Sequence, residues 1–209
     1  MRRPVDWGLY LVTDRQLAGP RPVEDLVRAA VRGGVTVVQL REKNLCAREY
    51  VELARRLKIF LADTGVPLIV NDRVDVALAA RADGVHLGQS DMDPRDARRL
   101  LGPEAIIGLS VETMEQAASL DVDYLGVSPI FSTPTKPELT GGWGIEGLAG
   151  LRALSRHALV AIGGISAANA AEVIRAGADG VAVVSAICAA PDPEAAAREL
   201  LRIVKGARG

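Results

Sequence analysis

Residues 160–185 read VAIGGISAANAAEVIRAGADGVAVVS. The apolar run Leu159 to Ile162 predicts a strand that ends in Gly163-Gly164. Ser166 then opens a helical pattern that stops at Gly177, and a second apolar run, Gly180 to Val184, ends in Ser185. This is one βαβ unit, and strands alternating with helices argue for a parallel sheet. Paired glycines let a backbone approach a ligand closely, and unpaired N–H groups at the Ser166 helix start suit an anion. Turns after the last two strands of a β/α barrel are where phosphate sites often form. The alternative is a tight turn and nothing more, because the spacing matches neither the Rossmann fingerprint nor the P-loop.

Working outward, the same alternation recurs along the chain. Strands are expected at 9–12, 35–40, 67–70, 84–87, 105–109 and 124–127 before the two already described. Helices are expected at 22–31, 47–63, 74–80, 94–101, 112–119 and 144–155, and a last one at 193–205. Eight evenly spaced βα units predict an α/β fold, a (β/α)8 TIM barrel forming a single domain over residues 1–209, with an open doubly wound sheet as the alternative. Apolar residues make up 49% of the chain and aromatics only 3%, so the core is built from Val, Leu, Ile and Ala. That suits a parallel sheet covered on both faces.

With 25 basic and 26 acidic residues the formal net charge is −1, which points to neither nucleic acid nor a membrane surface as partner. Cys46 and Cys188 lack metal-ligand spacing and there are two histidines, so no zinc set emerges. Free thiols, no signal-peptide core and no run approaching the ~20 apolar residues of a membrane span give a cytoplasmic expectation. The sequence leaves a homo-oligomer open.

In such a barrel the chemistry lies at the carboxyl ends of the strands. These ends supply Gln39, Arg41 and Lys43; Asn71, Asp72 and Arg73; Gln89 and Asp91; Ser110; and, from a long loop after the sixth strand, Thr133, Thr135 and Lys136. Arg41 and Lys43 alternate with Glu42, so on extended backbone both bases point the same way. With Lys136 they form three cations suited to a polyanion such as a diphosphate; the other reading is a solvated strand end paired with Glu42. Asp72 and Asp91, on neighbouring strand ends beside the cations, suit Mg²⁺, although each also precedes a helix and could cap it. His86 lies within a strand, where a packed interior histidine is the default. Phe131 and Trp143, on the long loop, are expected to help close it over ligand, with core packing as the equal alternative for Phe131.

The segments QLREK (39–43), VNDRVDVALAARADGVHLGQSDM (70–92), GLSVET (108–113), SPIFSTPTKP (128–137) and AIGGI (161–165), in this order, resemble the thiamine-phosphate synthase family over about residues 9 to 190. That resemblance implies Mg²⁺-dependent joining of 4-amino-2-methyl-5-(diphosphooxymethyl)pyrimidine to 4-methyl-5-(2-phosphoethyl)thiazole, releasing pyrophosphate. It implies that Gln39 touches the pyrimidine and that Arg41, Lys43, Asn71 and Lys136 hold the diphosphate, with Leu40, Glu42 and Pro134 counted among the substrate-binding residues. Ser110 would lie by the departing group. Asp72 and Asp91 would carry Mg²⁺, while Thr133, Thr135, Gly164, Val184 and Ser185 would cradle the thiazole phosphate. The catalytic set is Ser110, Lys136, Arg41 and Lys43. Rival readings are the thiazole tautomerase branch, which has no diphosphate to expel; another phosphate-binding barrel, such as a tryptophan-pathway isomerase or a Schiff-base aldolase, for which no strand interior offers a lysine; and a non-catalytic regulator that has kept the pocket.

Overall fold

The computed structural model describes residues 4–117, 121–131 and 142–209. Eight parallel strands close into a barrel: β1 (Leu9–Val12), β2 (Val37–Leu40), β3 (Leu68–Asn71), β4 (Gly84–Leu87), β5 (Ile106–Val111), β6 (Tyr124–Val127), β7 (Ala158–Ile162) and β8 (Gly180–Val183). Strand β8 pairs back onto β1, with Tyr10 level with Ala182, which excludes the open sheet. Around them run α1 (Arg15–Ala18), α2 (Val23–Arg32), α3 (Ala47–Leu61), α4 (Val74–Ala80), α5 (Pro94–Leu101), α6 (Gly144–Leu154), α7 (Ala170–Arg175), α8 (Ser185–Cys188) and α9 (Pro193–Ala207).

Helical spacing decides which face each long helix buries. In α3, Tyr50, Leu53, Ala54, Leu57 and Leu61 are buried against the sheet, and the Glu49 carboxylate accepts the Cys46 N–H at 3.3 Å at its start. In α9, Asp192 accepts from Ala195 N at 3.0 Å and Pro193 opens the first turn, the residue types that favour a helix start. Each fully buried Leu or Val contributes about 1.5–3 kcal/mol relative to exposure. Inside the barrel a second cluster forms from Tyr10, Val12, Val37, Ile69, Ile106, Tyr124, Val160 and Ala182. Trp7 packs on Tyr124 with ring centroids 4.5 Å apart and the rings tilted by 36°.

The register at the amino ends of the strands is pinned by a repeated device. Asp83, Asp123 and Asp179 immediately precede β4, β6 and β8. Each accepts, through its side chain and at 2.8 Å, a backbone N–H of the preceding strand: Leu68, Ile107 and Leu159. A basic residue pairs with each carboxylate: Lys58, Arg98 and Arg152. Before β2 the hydroxyl of Thr36 accepts from Leu9 N at 3.0 Å. Asp123→Ala leaves the Ile107 amide without its acceptor and Arg98 without its carboxylate, so it is expected to cost about 1–3 kcal/mol and lower Tm by roughly 3–10 °C. Calorimetry checks this, and KM should not move because this face is remote from the strand exits.

Three expectations are corrected. Residues 112–117, expected to begin a helix, form turns: the Gln116 side chain accepts from Glu112 N at 2.6 Å and Thr113 Oγ1 from Gln116 N at 3.4 Å, side-chain bonds that compete with helical ones. The rest of that segment, 118–120, lies outside the described residues. The helix expected from Ser166 starts only at Ala170, because Asn169 Oδ1 takes the Ser166 N–H at 2.9 Å and Ser166 Oγ the Ala168 N–H at 3.3 Å. The amides assigned to an anion at that start are thus engaged within the turn. The short helices α1 and α8 were not expected; each is a single turn that leaves too few positions for periodicity.

Candidate active site

The carboxyl ends of the strands surround a cavity of about 630 Å³. Its lining includes Gln39, Arg41 and Lys43 from the β2 exit, Asn71 and Asp72 from β3, Gln89 and Asp91 from β4, Ser110 from β5, and Gly164, Val184 and Ser185 from the last two strands. The structure thus brings together expected site residues from six strand exits. Leu40 is fully buried in the outer core. The Glu42 side chain, 4% exposed, is held by Arg15 through two contacts of 2.9 and 3.2 Å. Neither side chain lines the cavity. Thr133, Pro134, Thr135 and Lys136 lie outside the described residues. A larger hollow of about 810 Å³ opens on the opposite face, lined by the turns before the strands and by the Lys58–Asp83 pair, and it gathers no comparable set of side chains.

The β1 exit braces the cation pair. Buried Thr13 donates its N–H to Gln39 O at 2.9 Å and accepts Arg41 N at 3.0 Å through its hydroxyl. Asp14 holds the Arg41 guanidinium at 3.2 Å through Oδ2 while its Oδ1 accepts from Gln16 and Leu17 at the start of α1. Glu42 pairs with Arg15, not with Arg41 or Lys43, and Lys43 lines the cavity.

Neither aspartate of the expected metal pair caps a helix: Arg73 and Asp93 hold the cap positions of α4 and α5. Asp91 Oδ2 accepts from Gly88 N at 2.7 Å. Asp72 adopts a left-handed backbone with φ 61, a conformation Asp and Asn tolerate better than most residues. Burial, then the charge and hydrogen bonding of Asp91, push the Asp72 carboxyl up to about 6, against the pull of Lys43 and Asn71. A like-charge carboxylate pair facing a cavity suits a hard dication, and Mg²⁺ asks for only one or two carboxylates, completing its shell with phosphate oxygens and water. Among the described residues no group of three or more His, Cys, Asp or Glu could hold a metal, so the pair fits Mg²⁺ held jointly with substrate and not a protein-only cage.

The sign of the Asp72 shift makes a prediction. A folded carboxyl that binds its proton more tightly than the unfolded one loses stability as pH rises through the folded value of about 6. In the metal-free protein Asp72→Asn is therefore expected to raise Tm at pH 8, with the gain shrinking as pH falls from 6 towards 4. Thermal melts in EDTA across that range test it.

Behind the cavity floor runs a chain of side chains in which the sequence points to Gln39, His86 and Ser110 but not to Tyr10 and Tyr124. Gln39 Nε2 donates to Tyr10 Oη at 2.9 Å, and Tyr10 Oη meets Tyr124 Oη at 2.7 Å. Tyr124 Oη meets His86 Nδ1 at 2.8 Å, and His86 Nε2 meets Ser110 Oγ at 2.9 Å. Burial pushes both phenols well above their ordinary range, so they remain protonated. Room for the rings comes from glycines inside strands: a Cβ on Gly108 would lie 2.1 Å from Tyr124 Cζ, and one on Gly126 2.8 Å from His86 Cε1. Those glycines, at positions where strands prefer side chains, were the available signal. The Trp143 indole donates to Val111 O at 3.2 Å and Phe131 packs against the core, so both anchor the ends of segment 132–141. Gly163, at φ 105, lines the cavity and packs closely on Pro129: a Cβ there would lie 2.8 Å from that of Pro129.

Residues 9–187 match the family model described as thiamine monophosphate synthase. The thiamine-phosphate synthase of Albidiferax ferrireducens is 59% identical, covering 94% of this chain and 91% of that protein. That of Xanthobacter autotrophicus is 56% identical over the whole of both. Among solved structures, the thiamine phosphate pyrophosphorylase of Pyrococcus furiosus superposes with a TM-score of 0.89 at 40% identity, covering 98% of each chain. A 3-hexulose-6-phosphate synthase, at 19% identity and a TM-score of 0.70, shares the fold.

Proposed function

Because this chain belongs to the thiamine monophosphate synthase family and its activity is thiamine-phosphate synthesis, a transferase reaction, we propose how its own residues divide that work. The observation that carries the reading is the convergence of Arg41, Lys43 and Asn71 with Asp72 and Asp91 on one side of a cavity whose other side offers Ser110, Gly164, Val184 and Ser185. The substrates are 4-amino-2-methyl-5-(diphosphooxymethyl)pyrimidine and 4-methyl-5-(2-phosphoethyl)thiazole. Arg41, Lys43 and Asn71, with Lys136 from the long loop, grip the diphosphate; Gln39 reads the pyrimidine; Gly164, Val184 and Ser185, with Thr133 and Thr135, take the thiazole phosphate. The whole chain, residues 1–209, acts as one barrel domain. Two free thiols, Cys46 and Cys188, suit the cytoplasm. Among the described residues no helix is long and apolar enough to cross a membrane.

The reaction breaks the bond between the pyrimidine methylene carbon and the diphosphate oxygen, and the electron pair leaves with the oxygen. Fixed cations stabilise that developing charge without reorganising. Asp72 and Asp91 would hold Mg²⁺, which when bound supplies a dication that neutralises diphosphate charge. The pyrimidine amino group donates electron density to the methylene cation, and the thiazole nitrogen then forms the new C–N bond. No protein nucleophile is required, and Ser110 acts as a hydrogen-bonding neighbour of the departing oxygen.

Pyrophosphate release tests the reading. Purified protein with both substrates and Mg²⁺ is expected to release pyrophosphate and thiamine phosphate in equal amounts, and neither when the thiazole phosphate is omitted or EDTA is added. Rearrangement of a thiazole isomer alone would point to a tautomerase, and ligand binding without either activity to a regulator.

A further inference from the structure

We propose that the chain Gln39–Tyr10–Tyr124–His86–Ser110 is a polarised hydrogen-bond wire that makes recognition of the pyrimidine at Gln39 decide whether Ser110 meets the leaving group as a donor. The proposal rests on the functional reading above and concerns how two of its residues are coupled. The four contacts measure 2.9, 2.7, 2.8 and 2.9 Å. Their directions are not independent. Gln39 Nε2 can only donate, so Tyr10 Oη accepts from it. The Tyr10 proton then goes to Tyr124 Oη, its other partner. Tyr124 in turn gives its own proton to His86 Nδ1. An imidazole accepting at Nδ1 carries its proton at Nε2, and this donates to Ser110 Oγ. The end of the wire is a serine whose oxygen accepts from His86 and whose O–H is left to point into the cavity it lines.

Reversing any one bond reverses all the others, because leaving two donors or two acceptors face to face in a buried site costs on the order of 1–3 kcal/mol. Among the described residues no buried side-chain nitrogen or oxygen lacks a partner, as a consistently directed wire requires. The direction is set at Gln39, the only member whose two ends differ in kind: one amide nitrogen and one amide oxygen. With its nitrogen on Tyr10, the oxygen is left for a donor on the ligand, and the exocyclic amine of an aminopyrimidine is such a donor. A pyrimidine with a carbonyl at that position favours the flipped amide, and the flip would turn Ser110 into a donor to His86, with only an acceptor facing the diphosphate oxygen. The wire thereby couples base identity to leaving-group stabilisation. Tyr10, Tyr124 and His86 are positioning residues in this scheme; Ser110 is the group that touches substrate.

The experiment reads the histidine tautomer. The chain has two histidines, so a long-range ¹H–¹⁵N imidazole spectrum of the full-length protein is simple to assign, with His157→Gln identifying the other ring. His86 is expected to be neutral with its proton on Nε2. Gln39→Glu, recorded at pH 8, presents only acceptors to Tyr10 and is expected to move the His86 proton to Nδ1, a change a merely structural Gln39 would not cause. Tyr124→Phe is expected to lower kcat about tenfold, the contribution of one hydrogen bond, with KM little changed, and to cost nothing further on a Ser110→Ala background. A proton on Nδ1 in the parent protein, an unchanged tautomer in Gln39→Glu, or additive losses for Tyr124→Phe and Ser110→Ala would each overturn the wire. The parent tautomer is measured without turnover, so its failure is distinct from absence of pyrophosphate release, which would overturn the functional reading instead.

Discussion

Asp91→Ala is expected to lower kcat/KM for pyrophosphate release by on the order of 10³-fold. The departing diphosphate gathers charge as the carbon–oxygen bond breaks, and the protein cations alone would not replace the dication that Asp72 and Asp91 are proposed to hold. Alanine also removes the acceptor for Gly88 N at 2.7 Å, so a loss of activity could come from a loosened loop. Asp91→Asn separates the two effects: its amide oxygen still accepts from Gly88, but the charge is gone. Both variants are expected to be equally inactive at the Mg²⁺ concentration that saturates the parent, with Asp91→Asn keeping or exceeding the parent Tm, since the charge that opposes Asp72 is gone. Turnover within tenfold of the parent in Asp91→Asn would show that the carboxylate serves the loop and not the metal.

The strands and long helices were legible because each is an apolar run or a helical stripe bounded by turn residues. Residues 74–80, 84–87, 94–101 and 124–127 are bounded where the sequence suggested. Closure followed from the count of units. What could not be read was local chemistry that overrides periodicity. Ser166 and Asn169 look like a helix start, yet their side chains tie up the turn and delay α7 by four positions. Residues 112–117 have helical composition, but Thr113 and Gln116 bond to the backbone instead. The aspartates before β4, β6 and β8 do repeat in the sequence, as Ala82-Asp83, Val122-Asp123 and Ala178-Asp179. Their function, accepting an amide from the neighbouring strand, appears only when strands are laid side by side.

The site divides in the same way. Charged and polar residues at or just past strand ends declare themselves, because solvated ends and ligand sites are the places such residues go. Arg41, Lys43, Asn71, Asp72, Asp91 and Ser110 therefore line one cavity as expected. Residues facing the barrel axis do not declare themselves. Tyr10 and Tyr124 look like ordinary strand aromatics, and His86 like a packed interior histidine, until the register aligns His86 with Gly108 and Gly108 with Tyr124. Asp14 reads only as a turn residue after β1, and its hold on Arg41 requires β1 and β2 to be neighbours.

That alignment gives the second large effect. Gly108→Ala is expected to destabilise the fold by about 3 kcal/mol or more and to lower Tm by roughly 10 °C. The new methyl carbon would lie 2.1 Å from Tyr124 Cζ, 2.3 Å from Cε1 and 2.5 Å from Oη, well inside the ~3.5 Å of a normal carbon contact. The ring has no easy retreat. Trp7 packs on it at 4.5 Å, and its hydroxyl is held between Tyr10 and His86. Moving it would break the chain that ends at Ser110, so turnover should fall together with stability. Tyr124→Leu added to Gly108→Ala removes the three overlapping atoms and is expected to recover much of the Tm. It should not recover turnover, since no hydroxyl then joins Tyr10 to His86. Full recovery of both would mean that Tyr124 only fills space. A parent-like Tm for Gly108→Ala alone would mean that the barrel interior is looser than the contacts around Tyr124 require.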